Sequence, residues 1–168
     1  MTNGLIVLIP DHPLLKQQMV KVFSDDLFAH KPFEIVQQTS GKISEAYTAQ
    51  AFPREINLFY LKDDIRERIE EKEGSFHVLN TTLSFTAEEL QSELQNHPER
   101  FSPNVILRGI YQETILPNLA FIGGGGELAY WLQLKDLFNH YSVVFPVLVL
   151  RNSFLVAEEK WRKKKDQL

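Results

Sequence analysis

The sequence predicts an α/β fold built on a mainly parallel sheet, with a small antiparallel β-meander inserted into it. Three observations carry that expectation. In the second half, short apolar runs at Leu119–Ile122 and Phe145–Leu150 alternate with stretches of helical period, and strands that alternate with helices favour a parallel sheet covered on both faces. In the middle, Ile56, Leu58 and Tyr60 recur at period two in a run rich in β-formers. At 168 residues with 43% hydrophobic and 24% charged side chains, the chain has the size and balance of an ordinary globular domain that buries most of its apolar surface.

Taken in order, Leu5-Ile6-Val7-Leu8-Ile9 reads as a buried strand ended by Pro10-Asp11. Asp11 is placed to cap a helix with Pro13 in its first turn, where a missing N–H costs little. Leu15, Met19, Val22 and Phe23 then share one helical face at i, i+4, i+7 and i+8. A second helix is expected around Ile35 to Ala46, interrupted by Gly41. After Pro53 come the strand around Ile56–Tyr60, a second run from Ile65 to Glu71, a turn at Gly74-Ser75 and a third run at Phe76–Leu79. An exposed charged helix over Arg66–Glu73 is the competing reading of the middle run.

Thr86-Ala87-Glu88-Glu89 has capping-box spacing, followed by Leu90 and Leu94 at i,i+4 and closure at Pro98. Phe101 to Pro103 is read as a loop and a boundary. Beyond it are expected a helix (104–115), a strand (119–122), Gly123-Gly124-Gly125-Gly126, a helix (127–140), a strand (145–150) and a charged terminal helix. The organisation expected is an α/β core segment (1–51), an insert with the meander and a helix (52–101), a second core segment with the glycine loop (102–157), and the start of a truncated charged helix (158–168).

Composition narrows the function classes. A net charge of −4 argues against nucleic acid as a partner of the whole surface. The opening apolar run is too short for a signal or membrane segment, and no later run reaches the ~20 residues of a membrane span, so a cytoplasmic protein without membrane contact is expected. Cysteine is absent, which removes disulfides, thiolate metal sites and a cysteine nucleophile from this chain. The five histidines show neither H-x-H nor H-E-x-x-H spacing, so no metal site is expected.

The four glycines between an apolar strand and a helix are the most informative local feature. That position offers free N–H groups and the positive end of a helix dipole to an anion. A plain tight turn is the equal alternative, because the spacing matches neither a P-loop nor a dinucleotide fingerprint. Glu127 opens the next helix and is either its cap or an acceptor for a substrate amine or hydroxyl. Arg108 and Gln112 share a helical face at i,i+4 and could grip a carboxylate, against the commoner reading of surface pairing between Arg108 and Gln112 or Glu113. Asn118 closes a turn or joins the site. Arg151 and Asn152 follow a strand at its C-terminal end, where α/β sheets bind ligands, although Asn152 and Ser153 could equally cap the last helix.

The ordered strings Phe52-Pro53-Arg54-Glu55-Ile56-Asn57-Leu58-Phe59-Tyr60, His97-Pro98-Glu99-Arg100-Phe101-Ser102-Pro103-Asn104, Tyr111-Gln112-Glu113-Thr114-Ile115-Leu116-Pro117-Asn118 and Gly123-Gly124-Gly125-Gly126-Glu127-Leu128-Ala129-Tyr130-Trp131 resemble the bacillithiol biosynthesis cysteine-adding enzyme family nearly end to end. The resemblance implies a Rossmann-like core with connecting inserts and a C-terminal coiled coil, of which this chain looks like the middle portion. It implies a ligase that adds cysteine to glucosaminyl-malate in the last step of bacillithiol biosynthesis, with cysteine and glucosaminyl-malate as the small-molecule partners and a homodimer formed through the coiled coil. The cofactor stays open, a nucleotide being one option for the full-length protein. On this reading Arg108 and Gly123, Gly124, Gly125 and Gly126 hold an anionic group, Glu127 and Gln112 orient an amine or hydroxyl, and Tyr130, Trp131 and Asn152 shape the pocket, beside Asn118 and Arg151. No residue is identified as a nucleophile, and the chain is expected to be inactive alone. Gly109 stands where many relatives are expected to carry proline. The alternative is a standalone small-anion-binding or assembly module whose Lys163–Lys165 run pairs with a partner helix.

Overall fold

The computed structural model describes residues 7–44, 48–154, 156, 158 and 159. It opens on helices. α1 (Pro13–Lys16) passes through a 3-10 turn at Gln17–Met19 into α2 (Val20–Ala29), and α3 (Lys31–Ile43) follows. His30 makes the corner between α2 and α3 with a left-handed φ of 47°. The expected face is real: Met19, Val22, Phe23 and Leu27 are buried, with Leu15 packed beside them. The expected cap is not. His12 caps α1, its Nδ1 accepting the Leu14 N–H at 3.3 Å, while Asp11 pairs with Lys16 at 3.0 Å. Of the strand expected at Leu5–Ile9, Leu5 and Ile6 lie outside the described residues, and Val7 to Ile9 are irregular and exposed.

The main sheet contains β1 (Leu58–Lys62), β2 (Ile65–Lys72), β3 (Ser75–Val78), β4 (Ser84–Phe85) and β5 (Phe101–Pro103), in the order β4-β3-β2-β1-β5. Every pairing in it is antiparallel. The charged run after Ile65 is thus a strand and not a helix. Between Lys72 and its partner Ser75 only Glu73 and Gly74 remain, both at positive φ (53° and 76°), the backbone that a two-residue hairpin turn requires. Leu58, Tyr60, Ile69, Phe76 and Val78 turn one face of the sheet into the core. α4 (Ala87–Asn96) packs there against α2 and β3, after the capping box of Thr86 and Glu89.

α5 (Val105–Ile115), β6 (Ala120–Gly123), α6 (Gly125–Gln133), α7 (Lys135–His140) and β7 (Val147–Leu150) complete the order. Only β6 and β7 pair in parallel among the described residues, in register from Ala120↔Val147 to Gly123↔Leu150. The expectation of a mainly parallel sheet is corrected accordingly: the architecture is α/β, with a five-stranded antiparallel sheet and a two-stranded parallel one. The physical reason is the connections. Two residues between strands, as at Asp63-Asp64 and Glu73-Gly74, permit only antiparallel pairing, whereas a parallel pair needs a crossover, which α6 and α7 supply between β6 and β7. Phe101–Pro103, expected as a loop, is the edge strand beside β1. The helix expected over 127–140 starts at Gly125 and breaks at Leu134.

Two buried polar clamps hold the irregular segment between α3 and β1. The Gln133 side chain accepts the N–H groups of Gln50 and Ala51 at 2.9 and 3.0 Å and donates to Ser40 Oγ and Ala51 O at 2.7 and 2.9 Å. Asp26 holds Asn57 in the same way from α2. An aromatic cluster of Phe121, Trp131, Phe138 and Phe145 fills the space under β6 and β7. On these strands Ile122, Val147 and Leu150 remain exposed. No helix among the described residues is long and apolar enough to cross a membrane.

Candidate functional site

Parallel pairing brings the C-terminal ends of β6 and β7 side by side, so the glycine loop and the segment starting at Arg151 emerge together. The Arg151 N–H donates to Gly123 O at 2.9 Å, extending the ladder by one bond. The four glycines that follow have different jobs. A Cβ on Gly123 would lie 2.6 Å from the Phe121 ring, and one on Gly124 would lie 3.2 Å from a guanidinium nitrogen of Arg151. Gly123 therefore depends on the missing side chain, whereas at Gly124 the exposed Arg151 guanidinium need only give way by a few tenths of an ångström. Gly125 meets nothing within 4 Å, and Gly126 only the tip of Gln50 at 4.0 Å.

Glu127 is the cap of α6: its Oε2 accepts the Gly124 N–H at 2.9 Å. The N–H groups of Gly125 and Gly126 have no acceptor among the described residues, as expected for the first turn of a helix. The loop thus offers unfilled donors at an exposed helix start, flanked by the guanidinium of Arg151, and this suits an anionic group.

Beside it lies a small cleft of about 30 Å³, so it is one wall of a site and not a chamber for a whole substrate. Arg108, Gly109 and Gln112 line it from α5, Phe121 from β6, and Glu127, Tyr130 and Trp131 from α6. Five sequence-expected residues, Arg108, Gln112, Glu127, Tyr130 and Trp131, are therefore brought together. Arg108 is exposed and has no ion pair with Glu113 among the described residues, and Gln112 turns its amide to Glu113 instead of Arg108. Trp131 is buried and stacked on Phe121 with centroids 4.2 Å apart, which makes it the floor of the cleft and part of the core at once.

Asn118 does not line the cleft. Its N–H and Nδ2 donate to Glu113 at 2.7 and 2.9 Å, so it closes the turn into β6. Asn152 lies exposed in the irregular segment after β7, where Asn152 and Ser153 start no helix, and it too is absent from the cleft lining. The expected coiled-coil stub falls almost wholly outside the described residues, as does the Lys163–Lys165 run.

Glu113 is the organising residue that spacing did not reveal. Buried, it accepts from Asn118 twice and from Gln112 Nε2 at 2.9 Å. It thereby fixes the side chain of Gln112 at the cleft and the entry of β6 with one carboxylate. The Glu113–Asn118 separation of five residues across Pro117 was the available signal, a carboxylate facing a turn that needs an acceptor.

Residues 1–152 match the family described as "Bacillithiol biosynthesis BshC, N-terminal Rossmann-like domain". The chain is 49% identical over 165 residues to a protein of Flavobacterium johnsoniae, covering 98% of the chain and 31% of the relative. It is 47% identical over 166 residues to one of Christiangramia forsetii, again 98% and 31%. A protein of Bacillus pumilus is 36% identical over 155 residues, covering 86% of the chain and 29% of the relative. Each of the three bears the name "Putative cysteine ligase BshC". The chain spans about a third of the length of these curated relatives.

Proposed function

The chain belongs to the bacillithiol biosynthesis BshC family through its Rossmann-like domain, and from that premise we propose that it forms part of the substrate pocket of a cysteine ligase. In the whole protein the reaction is formation of a carbon–nitrogen bond between cysteine and glucosaminyl-malate, the last step in making bacillithiol. Amide formation needs an activated carboxylate held against a free amine. The unfilled N–H groups at Gly125 and Gly126, with Arg151 and Arg108, hold the anionic partner. Gln112, steadied by Glu113, and the Glu127 carboxylate orient the amine or a hydroxyl, with Tyr130 shaping the wall. These are positioning and electrostatic tasks, and they contribute by fixing a near-attack geometry. No side chain in the cleft serves as a nucleophile, so the chain alone is inactive.

The observation that supports this reading is the convergence of α5, β6 and α6 on one cleft beside the glycine loop. Isothermal titration of the chain with malate, glucosaminyl-malate, cysteine and ATP tests it. Saturable binding of glucosaminyl-malate that disappears in Arg108→Ala and in Gly125→Val is expected. Gly125→Val is a clean probe because a side chain there enters open space, so it obstructs the loop without disturbing the core. Binding that survives both substitutions sinks the proposal, and cysteine transfer by the isolated chain refutes the inactivity.

A further inference from the structure

Arg108 and Gln112 also line a second and larger cavity, of about 350 Å³, which reaches from α5 to β2 and α1. Three cations open on it, Lys16, Arg66 and Arg108, against one acid, Asp11. That acid is already engaged, since its carboxylate lies 3.0 Å from Lys16 Nζ. Lys16 is 1% exposed and also donates to Phe101 O at 2.5 Å, so its charge is met within the fold. Arg66 and Arg108 are left without an ion pair among the described residues.

Arg66 is nevertheless held in place. Its guanidinium stacks over the Phe59 ring at 4.0 Å, a contact that favours the planar cation. Burial lowers the Lys16 ammonium below its ordinary range, the hydrogen bond and charge of Asp11 opposing it, and Arg66 is close enough to lower it further. Glu99 also acts on Lys16 from outside the lining, and with Lys16 met by Asp11 the positive charge left on the lining is that of Arg66 and Arg108. Leu8, Pro10, Pro103 and Ile115 give the wall an apolar stretch, beside Ser102, Tyr111 and Gln112.

We propose that this cavity is a second anion subsite that shares Arg108 with the glycine-loop cleft, in which Arg66 and Arg108 grip one carboxylate or phosphate group while the ligand's apolar body lies against Pro103 and Ile115. Two guanidinium groups from different elements provide the forked donors that such groups match. The subsite goes beyond the ligase reading, because Arg66 and Phe59 take no part in the glycine-loop cleft.

The test is titration of the 168-residue chain at low ionic strength with two probes, benzylsuccinate for carboxylates and phenyl phosphate for phosphate esters. The variants are Arg66→Met, Arg108→Met, Arg151→Met and Arg68→Met, each checked for folding by circular dichroism. Methionine keeps an unbranched aliphatic stem and removes the guanidinium, with its charge, its donors and, at Arg66, its contact with Phe59. Binding of at least one probe is expected to weaken about tenfold or more in Arg66→Met and Arg108→Met, the scale of a lost charge-assisted hydrogen bond, and to hold in Arg151→Met and Arg68→Met. The stronger probe names the source of the anion. Binding that survives Arg66→Met but is lost in Arg151→Met moves the anion to the glycine loop, overturning the subsite while leaving the ligase reading intact. Equal weakening in Arg68→Met, or no saturable binding of either probe by the folded chain, also overturns it.

Discussion

Asp26 and Asn57 are joined by two buried hydrogen bonds, from the Asn57 N–H to Oδ2 at 2.6 Å and from Nδ2 to Oδ1 at 2.9 Å. Asn57 Oδ1 in turn accepts from the Arg54 N–H and from Asn104 Nδ2 at 3.1 and 3.0 Å. One carboxylate in α2 therefore governs the approach to β1 and the residue that caps α5.

Burial pushes the Asp26 carboxyl from its ordinary 3.8 up to about 7, with the Asn57 hydrogen bonds and His30 opposing. A carboxyl whose folded value is raised takes up protons more readily in the folded state, so its contribution is complete below about pH 4 and is lost as pH rises through about 7. Denaturant titrations should show that the deficit of Asp26→Asn against the parent protein is larger at pH 5 than at pH 8. A deficit that does not change with pH would show that Asp26 titrates normally.

Glu113→Gln tests the turn into β6. The amide keeps one acceptor oxygen but sets an NH₂ against Asn118 or Gln112 donors, leaving at least one buried group unpaired. A loss of about 2 kcal/mol is expected in chemical denaturation, together with weaker ligand binding at the cleft because Gln112 is released. Unchanged stability would mean that Asn118 is held by its turn alone.

Gly109 and Gly123 should respond to alanine in opposite directions. At Gly109, inside α5, an added Cβ would sit 3.5 Å from Leu134 Cδ1 and Phe138 Cζ, ordinary contact distances. Gly109→Ala is expected to raise stability by about 0.5–1 kcal/mol, the helix penalty of glycine. Gly123→Ala drives a methyl against the Phe121 ring, which is stacked on Trp131, and should lower the melting temperature. The reverse ordering of the two melting temperatures would contradict the packing described.

Tyr60 Oη donates to Glu93 Oε1 at 2.6 Å, and Arg100 donates to the same oxygen at 2.5 Å. Burial pushes the Glu93 carboxyl up, but the two hydrogen bonds and the Arg100 charge outweigh it and hold it below the ordinary value of 4.5. Such a group adds stability above about pH 4.5 that is lost as pH falls below it. Tyr60→Phe should cost about 1 kcal/mol at pH 7, and less at pH 3, as read by urea unfolding. An equal cost at both values would assign the effect to packing.

Much of this fold follows from local patterns. Thr86 with Glu89, and Asn104 before Val105, mark helix starts by side-chain chemistry that acts within four residues, and both caps form. Gly74 marks the hairpin for the same reason. Strand pairing is not local in general: the meander of β1, β2 and β3 follows from its short turns, but Phe101–Pro103 carries no periodicity and its partner β1 lies some forty residues away, so the edge strand was illegible. The cleft divides in the same way. Arg108 with Gln112, and Gly123 with Glu127, are neighbours by helical spacing and by a single turn. Whether Trp131 is wall or core depends on Phe121, and whether Asn118 binds or closes a turn depends on the side chain of Glu113, neither of which spacing reveals.

Gln133 uses both lone pairs and one amide hydrogen on a stretch of chain that belongs to no strand or helix, and the other hydrogen on Ser40 of α3. Hydrogen exchange gives this a visible signature. The amides of Gln50 and Ala51 should exchange slowly, at the rate at which α6 itself opens, while neighbours in the same irregular segment exchange fast. Those two amides would then report the breathing of the helix that follows the glycine loop, some eighty residues further along the chain.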